Sequence, residues 1–301
     1  MEIVFLGTGS GIPSRERNHP AILLKYEGSQ LLWDCGEGTQ RQMSIAGESP
    51  MKIDDIFITH WHADHFAGLI GMIQSMNLED RSKPLTIYGP EAELFVSDIL
   101  DLGHWGVGFP VIGKELNFDG NEIETVAKYE DFTVFSIPVN HTVPAVAYCF
   151  KENDRVNVDL KKAAAYGLKQ GPIIGKLKND GNVTYKGKKI KLEDVSTTRI
   201  GRKITYSGDT TPCDNMVKIS KNADIMIHDS TFLEDVMSEE KRRKSHSSVD
   251  EIANIAKKAE VKKLILTHFS RRYSSLKDFE TSARKIFPET ITAKDFMRVK
   301  L

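Results

Sequence analysis

Short apolar runs bounded by Gly, Pro and Asn alternate along this chain with longer stretches whose apolar residues recur every three or four positions. The first pattern predicts strands, the second helices. Glu2–Leu6, Ala21–Tyr26 and Leu31–Asp34 read as strands, the last after a Glu-Gly-Ser turn, and Asp55–Thr59 as a short apolar strand. Phe66–Asn77 has helical spacing through Leu69, Ile70, Ile73 and Met76. Leu85–Tyr88 returns as a strand, Glu91–Leu102 as a helix, and Phe132–Pro138 and Val146–Phe150 as strands. An irregular stretch, Lys151–Lys203, follows. Beyond it the spacing predicts strands over Lys203–Ser207, Asp224–His228, Lys263–Thr267 and Thr292–Val299. Helices are expected over Asp214–Asn222, Val249–Ala259 and Leu276–Ile286. Both halves mix hairpins with strand–helix units, and no internal repeat is legible. Two facing sheets with helices outside, an αβ/βα sandwich of four layers, satisfy this pattern.

Polar residues interrupt the pattern where the apolar runs end. Thr59-His60-Trp61-His62-Ala63-Asp64-His65 follows one strand, and His141, Asp209 and His268 each follow another. His60 and His62 are two apart, so on extended chain both leave the same face. Trp61 alternates with them and is expected to point into the core. Asp64 and His65 belong to the turn leading into Phe66–Asn77. Imidazole and carboxylate without thiolate suit zinc or another borderline divalent ion. Seven such side chains exceed what one tetrahedral ion uses, so two ions sharing a bridging carboxylate are expected. His246, beside Ser247 and Ser248, reads on its own as a residue at a helix N-terminus. His19 and His104 read as structural.

Composition narrows the setting. With 301 residues, 40% hydrophobic and 28% charged, the chain is expected to form one large soluble α/β domain over 1–301. Three cysteines with no Cys-x-x-Cys spacing read as buried free thiols in a reducing cytoplasm. The first residues lack the features of a signal peptide, and no apolar run approaches the ~20 residues of a membrane span. Net charge is −1, so no global excess announces a nucleic acid. Local charge differs: Lys151–Lys203 holds 14 Lys and Arg against six Asp and Glu. On charge alone that segment reads equally as a solvated insertion or as a phosphate-binding arm.

The His60–His65 segment with distant His141, Asp209 and His268 resembles the metallo-β-lactamase superfamily, whose signature is His-x-His-x-Asp-His followed by His, Asp and His. Further segments are similar to the ribonuclease Z family of tRNA 3′-processing endonucleases. They are Phe5–Pro13 with Arg17-Asn18, Asp34–Gln40, Leu85–Pro90, Gly171–Lys178, Ser207–Thr210 and Leu266–Tyr273. The resemblance implies a metallo-β-lactamase sandwich with a protruding basic arm, about 151–203, that binds tRNA. It implies two zinc ions: His60, His62 and His141 on one, Asp64, His65 and His268 on the other, Asp209 bridging. It further implies cleavage of precursor tRNA by a metal-activated hydroxide that Asp64 orients and deprotonates. On the same resemblance His246 is expected to serve the leaving oxygen, and the products to be a tRNA 3′-hydroxyl and a trailer 5′-phosphate. A homodimer, with the arm of one subunit serving the other, is also implied. Where the family often has His-Glu-Ala-Thr, this chain has His228-Asp229-Ser230-Thr231, one methylene shorter at the carboxylate that would hold His246. Arg271, Arg272 and Tyr273 are expected either to grip RNA, with Tyr273 stacking on a base, or to be surface residues. Lys241–Lys244 carries the same pair of readings. The alternatives to an endoribonuclease are a small-molecule hydrolase of the same fold and a non-catalytic RNA-binding module. The basic arm argues against the first and the complete donor set against the second.

Overall fold

The computed structural model describes residues 1–103, 106–233 and 246–301. They form two compact units. The first comprises residues 1–129, 133–150 and 203–301; the second, residues 130–132 and 151–202.

Two seven-stranded sheets build the first unit. One runs in the order Arg298–Lys300, Glu2–Gly7, Ala21–Tyr26, Ser29–Trp33, Asp55–Phe57, Leu85–Gly89, Val111–Glu115. It is antiparallel as far as Ser29–Trp33 and parallel beyond. The other runs Thr290–Thr292, Leu264–Thr267, Ile225–Asp229, Lys203–Tyr206, Val146–Glu152, Phe132–Pro138, Glu124–Lys128. Its first four strands are parallel.

Alternation along the strands separates two cores. Val4, Leu6, Leu23, Leu32, Ile56 and Ile87 pack with Met43, Leu69, Ile73 and Val96 of the helices Thr39–Ala46, Gly68–Leu78 and Ala92–Asp101. Met226, Leu264 and Leu266 pack in the same way against Ile252, Ala256 and Phe279 of Val249–Lys258 and Lys277–Ile286. Aromatic rings fill the space between the sheets. Trp33 stacks on Tyr206 with centroids 5.8 Å apart, while Phe57 meets Tyr148 and Tyr26 meets Phe150 edge-on at 5.5 and 5.4 Å. Such pairs contribute about 0.5–1.5 kcal/mol each beyond the area they bury. The expected αβ/βα sandwich is the architecture that forms.

Several local expectations need correcting. Thr292–Val299 is not one strand. Thr290–Thr292 ends the second sheet, the chain turns at Phe296 (φ 66°), and Arg298–Lys300 joins the first sheet. Thr39–Ala46 is a helix that apolar spacing did not predict; Gly38 and Gly47, both left-handed, bracket it. The strands Val111–Glu115 and Glu124–Lys128 close sheet edges with mostly exposed residues, so they lack the alternation of a half-buried strand. Cys35, Cys149 and Cys213 are free thiols; the first two are buried, and Cys213 is half-buried. No helix among the described residues is long and apolar enough to cross a membrane.

The second unit is folded where irregular chain was expected. Arg155–Val158 pairs with Ser196–Arg199, and Asn182–Tyr185 forms a hairpin with Lys188–Lys191. Asp159 caps the helix Leu160–Ala165. Pro172–Asp180, with Pro at its first position and left-handed Gly181 at its end, is a second helix. Ala163, Leu168, Leu177, Val183, Ile190 and Val195 form a small buried core. Lys161, Lys162, Lys169, Lys176, Lys178, Lys186, Lys188, Lys189 and Lys191 are all exposed around it.

Candidate metal centre

The strand Asp55–Phe57 delivers the chain to a buried carboxylate, Asp34. Thr59 donates its N–H to Asp34 Oδ1 at 2.8 Å and its hydroxyl at 3.0 Å, which fixes where His60 begins. His62 then caps a one-turn helix, Ala63–Phe66, so Asp64 and His65 stand on that helix rather than in a turn. His60 Nε2 and His62 Nδ1 are 3.0 Å apart, as expected for side chains on one face. His141 brings its Nε2 within 3.1 Å of the same His62 nitrogen.

A second cluster adjoins the first. His65 Nε2 lies 3.2 Å from His268 Nε2, and Asp64 Oδ2 lies 3.7 and 3.5 Å from those two atoms. Asp209 Oδ1 approaches them at 3.4 and 3.2 Å. Donor atoms of His60, His65 and Asp209 also lie within 4.8 Å of one another, so Asp209 faces both clusters. All seven side chains singled out in the sequence therefore converge.

Further residues orient the donors. Asp34 Oδ2 meets His65 Nδ1 at 2.7 Å and also accepts the Tyr206 hydroxyl at 2.7 Å, which turns His65 Nε2 toward the cluster. Thr231 Oγ1 contacts His268 Nδ1 at 2.9 Å, and Gly11 N–H donates to Asp64 Oδ2 at 2.7 Å. Asp34 and Gly11 stand in segments that resemble ribonuclease Z, but no residue pattern gave them a role.

The donor set fits a divalent cation. Pairs of ring nitrogens at 3.0–3.2 Å hold at most one proton between them. His62 Nδ1 faces two such partners. Asp209 Oδ1 is buried without a hydrogen-bond partner among the described residues. Burial, reinforced by the charge of His65, holds His60 well below its ordinary pKa, leaving a lone pair for a metal. Burial raises the pKa values of Asp209 and Asp64, but His268 and His65 outweigh it and hold both well below the usual carboxylate range.

His246 sits immediately before the helix Val249–Lys258, which Ser248 caps, as its local sequence suggests. It also faces the cluster. Its Nδ1 lies 3.1 Å from Asp229 Oδ2, 3.3 Å from Thr231 Oγ1 and 3.8 Å from Asp209 Oδ2. The shorter aspartate therefore reaches. Burial pushes the imidazole pKa down, but the Asp229 bond and the charge of Asp209 raise it above its ordinary value.

Outside the cluster, Trp61 is buried as expected and donates to the Pro90 carbonyl. His19 is buried, with neither ring nitrogen hydrogen-bonded among the described residues. Arg271 is exposed, and Arg272 lies over the Phe232 ring. Tyr273 is half-buried, its ring in edge-on contact with Phe279 and its hydroxyl accepting from Leu233 N–H at 3.3 Å. His104 and Lys241–Lys244 lie outside the described residues.

Residues 179–269 match the family model of the β-lactamase superfamily domain, and residues 1–98 that of the anti-Pycsar protein Apyc1. Among solved structures, the metallo-β-lactamase fold protein YhfI from Bacillus subtilis is similar at TM-score 0.70 and 20% identity, covering 99% of this chain and 98% of that one. With two facing sheets and a cluster of imidazoles and carboxylates, the chain is a metal-binding protein of the metallo-β-lactamase fold. The short form of human tRNase Z is similar at TM-score 0.73 and 28% identity, covering 100% and 99% of the two chains. Ribonuclease Z of Thermococcus kodakarensis is 46% identical over 289 residues, 95% of this chain and 89% of that protein. Ribonuclease Z of Methanothermobacter thermautotrophicus is 43% identical over 304 residues, 100% and 97%. The chain belongs to the ribonuclease Z family.

Proposed function

We propose that this chain is a zinc-dependent endoribonuclease that removes 3′ trailers from tRNA precursors, leaving a tRNA 3′-hydroxyl and a trailer 5′-phosphate. The observation that carries the reading is family membership along essentially the whole chain. Zinc suits a donor set of five imidazoles and two carboxylates without thiolate. His60, His62 and His141 would hold one ion and Asp64, His65 and His268 the second, with Asp209 placed to serve both. When bound, the two ions supply a nucleophile from water near neutral pH and neutralise charge on the scissile phosphate.

The side chains do the rest. Gly11 holds Asp64 by Oδ2, leaving Oδ1 to orient the attacking water and take its proton. His246, held at Nδ1 by Asp229, donates a proton from Nε2 to the leaving 3′-oxygen. Asp209 and Asp229 favour the protonated ring until that moment. The segment of about residues 151–203 is an arm inserted in a single metallo-β-lactamase-fold domain, and its exposed lysines neutralise tRNA phosphates. The enzyme acts as a homodimer in the cytoplasm.

Incubation with a tRNA precursor bearing a 3′ trailer, with the cut mapped, tests the reading. Cleavage next to the discriminator base is expected; its absence with metal present would sink the proposal. A chelator should abolish cleavage and added zinc should restore it.

A further inference from the structure

The strands Ile225–Asp229, Leu264–Thr267 and Thr290–Thr292 are parallel neighbours, so their C-terminal ends open along one edge of the sheet. At the end of the first, Asp229 meets His246. His268 follows the second. Past the third, Lys294 and Asp295 border a cleft of about 660 Å³, a volume in the range of ligand pockets. Arg17 and the helix Lys277–Ile286 supply its other walls.

The charges in this cleft are committed unequally. Asp295 accepts from Thr8 Oγ1, Asn18 N–H and Gln42 Nε2 at 2.7, 2.8 and 3.0 Å. Glu280 pairs with Arg284 at 2.6 Å and accepts from Thr292, and Glu16 accepts from the Ser14 hydroxyl at 3.3 Å. Two of the cations are less engaged. Lys277 and Lys294 are exposed, with no side-chain partner among the described residues. Arg17, by contrast, is buried at 8% exposure, and its Nη2 donates to the Tyr273 and Ser270 carbonyls at 2.6 and 3.4 Å. Four cations (Arg17, Lys277, Arg284, Lys294) line the cleft against three carboxylates (Glu16, Glu280, Asp295), and the excess positive charge is presented by the two exposed lysines.

We infer that this cleft is a subsite for single-stranded RNA on the trailer side of the cut, taking its phosphates on Lys277 and Lys294. The inference rests on the functional reading above, in which His246 serves the leaving oxygen at the tRNA 3′ end. Strand order then fixes the polarity. The cleft lies on the far side of His268 from His246, so RNA crossing the centre from His246 enters it with its trailer.

Two substrates and one product analogue test this with the metal-loaded full-length enzyme: one precursor with a long trailer, the same precursor with a single trailing nucleotide, and the 5′-phosphorylated trailer oligonucleotide alone. Lys277→Ala/Lys294→Ala should raise KM for the long-trailer precursor about tenfold at unchanged kcat, and leave the single-nucleotide precursor as it was. Binding of the oligonucleotide, followed by fluorescence anisotropy, should weaken about tenfold, with a salt slope shallower by about 1.4. Lys114→Ala/Lys128→Ala, on the opposite side of strand order, should do neither. An equal KM rise on both precursors would move the contact to the tRNA side, and no change in either precursor or oligonucleotide would make the cleft plain solvated surface; both outcomes overturn the inference. The anisotropy measurement decides the cleft even if no precursor is cut, a result that would count against the functional reading instead.

Discussion

His246 and Asp209 lie 3.8 Å apart, yet their substitution should give opposite phenotypes. Geometry alone does not separate them, because Asp209, Asp229, His246 and His268 also sit at metal-binding distances from one another. His246→Ala should lower kcat at least ~100-fold with zinc content retained, the loss expected for a missing proton donor. Asp209→Ala should lose zinc. Elemental analysis beside turnover separates the two, and equal metal loss would assign His246 to the ligands. A pH series reads the same pair. Burial disfavours the imidazolium, but Asp229 and Asp209 raise its pKa. Proton donation is therefore available at low pH and lost as pH rises through that raised value. Asp229→Asn removes one of the supporting charges, so the alkaline limb of kcat should move to lower pH. A limb that stays in place would detach Asp229 from the proton.

Elements were legible in the sequence where both faces of a strand are buried or a helix has a continuous apolar stripe. Leu264–Thr267 and Val249–Lys258 are such cases. The exposed edge strand Val111–Glu115 offers no such signal, and Thr39–Ala46 buries only Thr39, Gln42 and Met43. The metal donors stood out because each follows an apolar run. Their supports did not, because the contacts are remote: Asp34 is 31 residues from His65, and Thr8 is 287 from Asp295. In the second unit, short elements around six buried apolar residues were masked by lysines, although Pro172 and Gly181 mark one helix. Leu177→Ala should destabilise this small core by about 2–5 kcal/mol. Proteolysis within 151–203 should accelerate and tRNA binding fall, while hydrolysis of a nitrophenyl phosphate ester persists. Loss of both activities would mean that the arm supports the site itself. Before Asp209, Gly208 has φ +57°, and a Cβ there would lie 2.6 Å from Thr59 Cβ. Gly208→Ala adds about 1–2 kcal/mol of backbone strain to that clash. Zinc content and melting temperature should both drop.

For the whole molecule, the arm and the metal centre are separable in sequence, since every donor lies before residue 151 or after residue 203. Removing the arm should weaken precursor binding and flatten its salt dependence without ending small-ester hydrolysis. In a mixed dimer of one armless subunit and one Asp209→Ala subunit, appreciable cleavage would place the arm in trans to the centre it serves; near-inactivity would place it in cis. The path of the chain between its sheets has a different consequence. Arg298–Lys300 lies beside Glu2–Gly7, and Asp295 gathers Thr8, Asn18 and Gln42 around the loop whose Gly11 touches Asp64. On the ribosome, all seven donors emerge before the residues that tie this loop down. The contact between Gly11 and Asp64 thus leans on a segment synthesised after every one of the seven candidate donors, and a chain cut before Asp295 would keep all seven yet lack the bonds that fasten this loop.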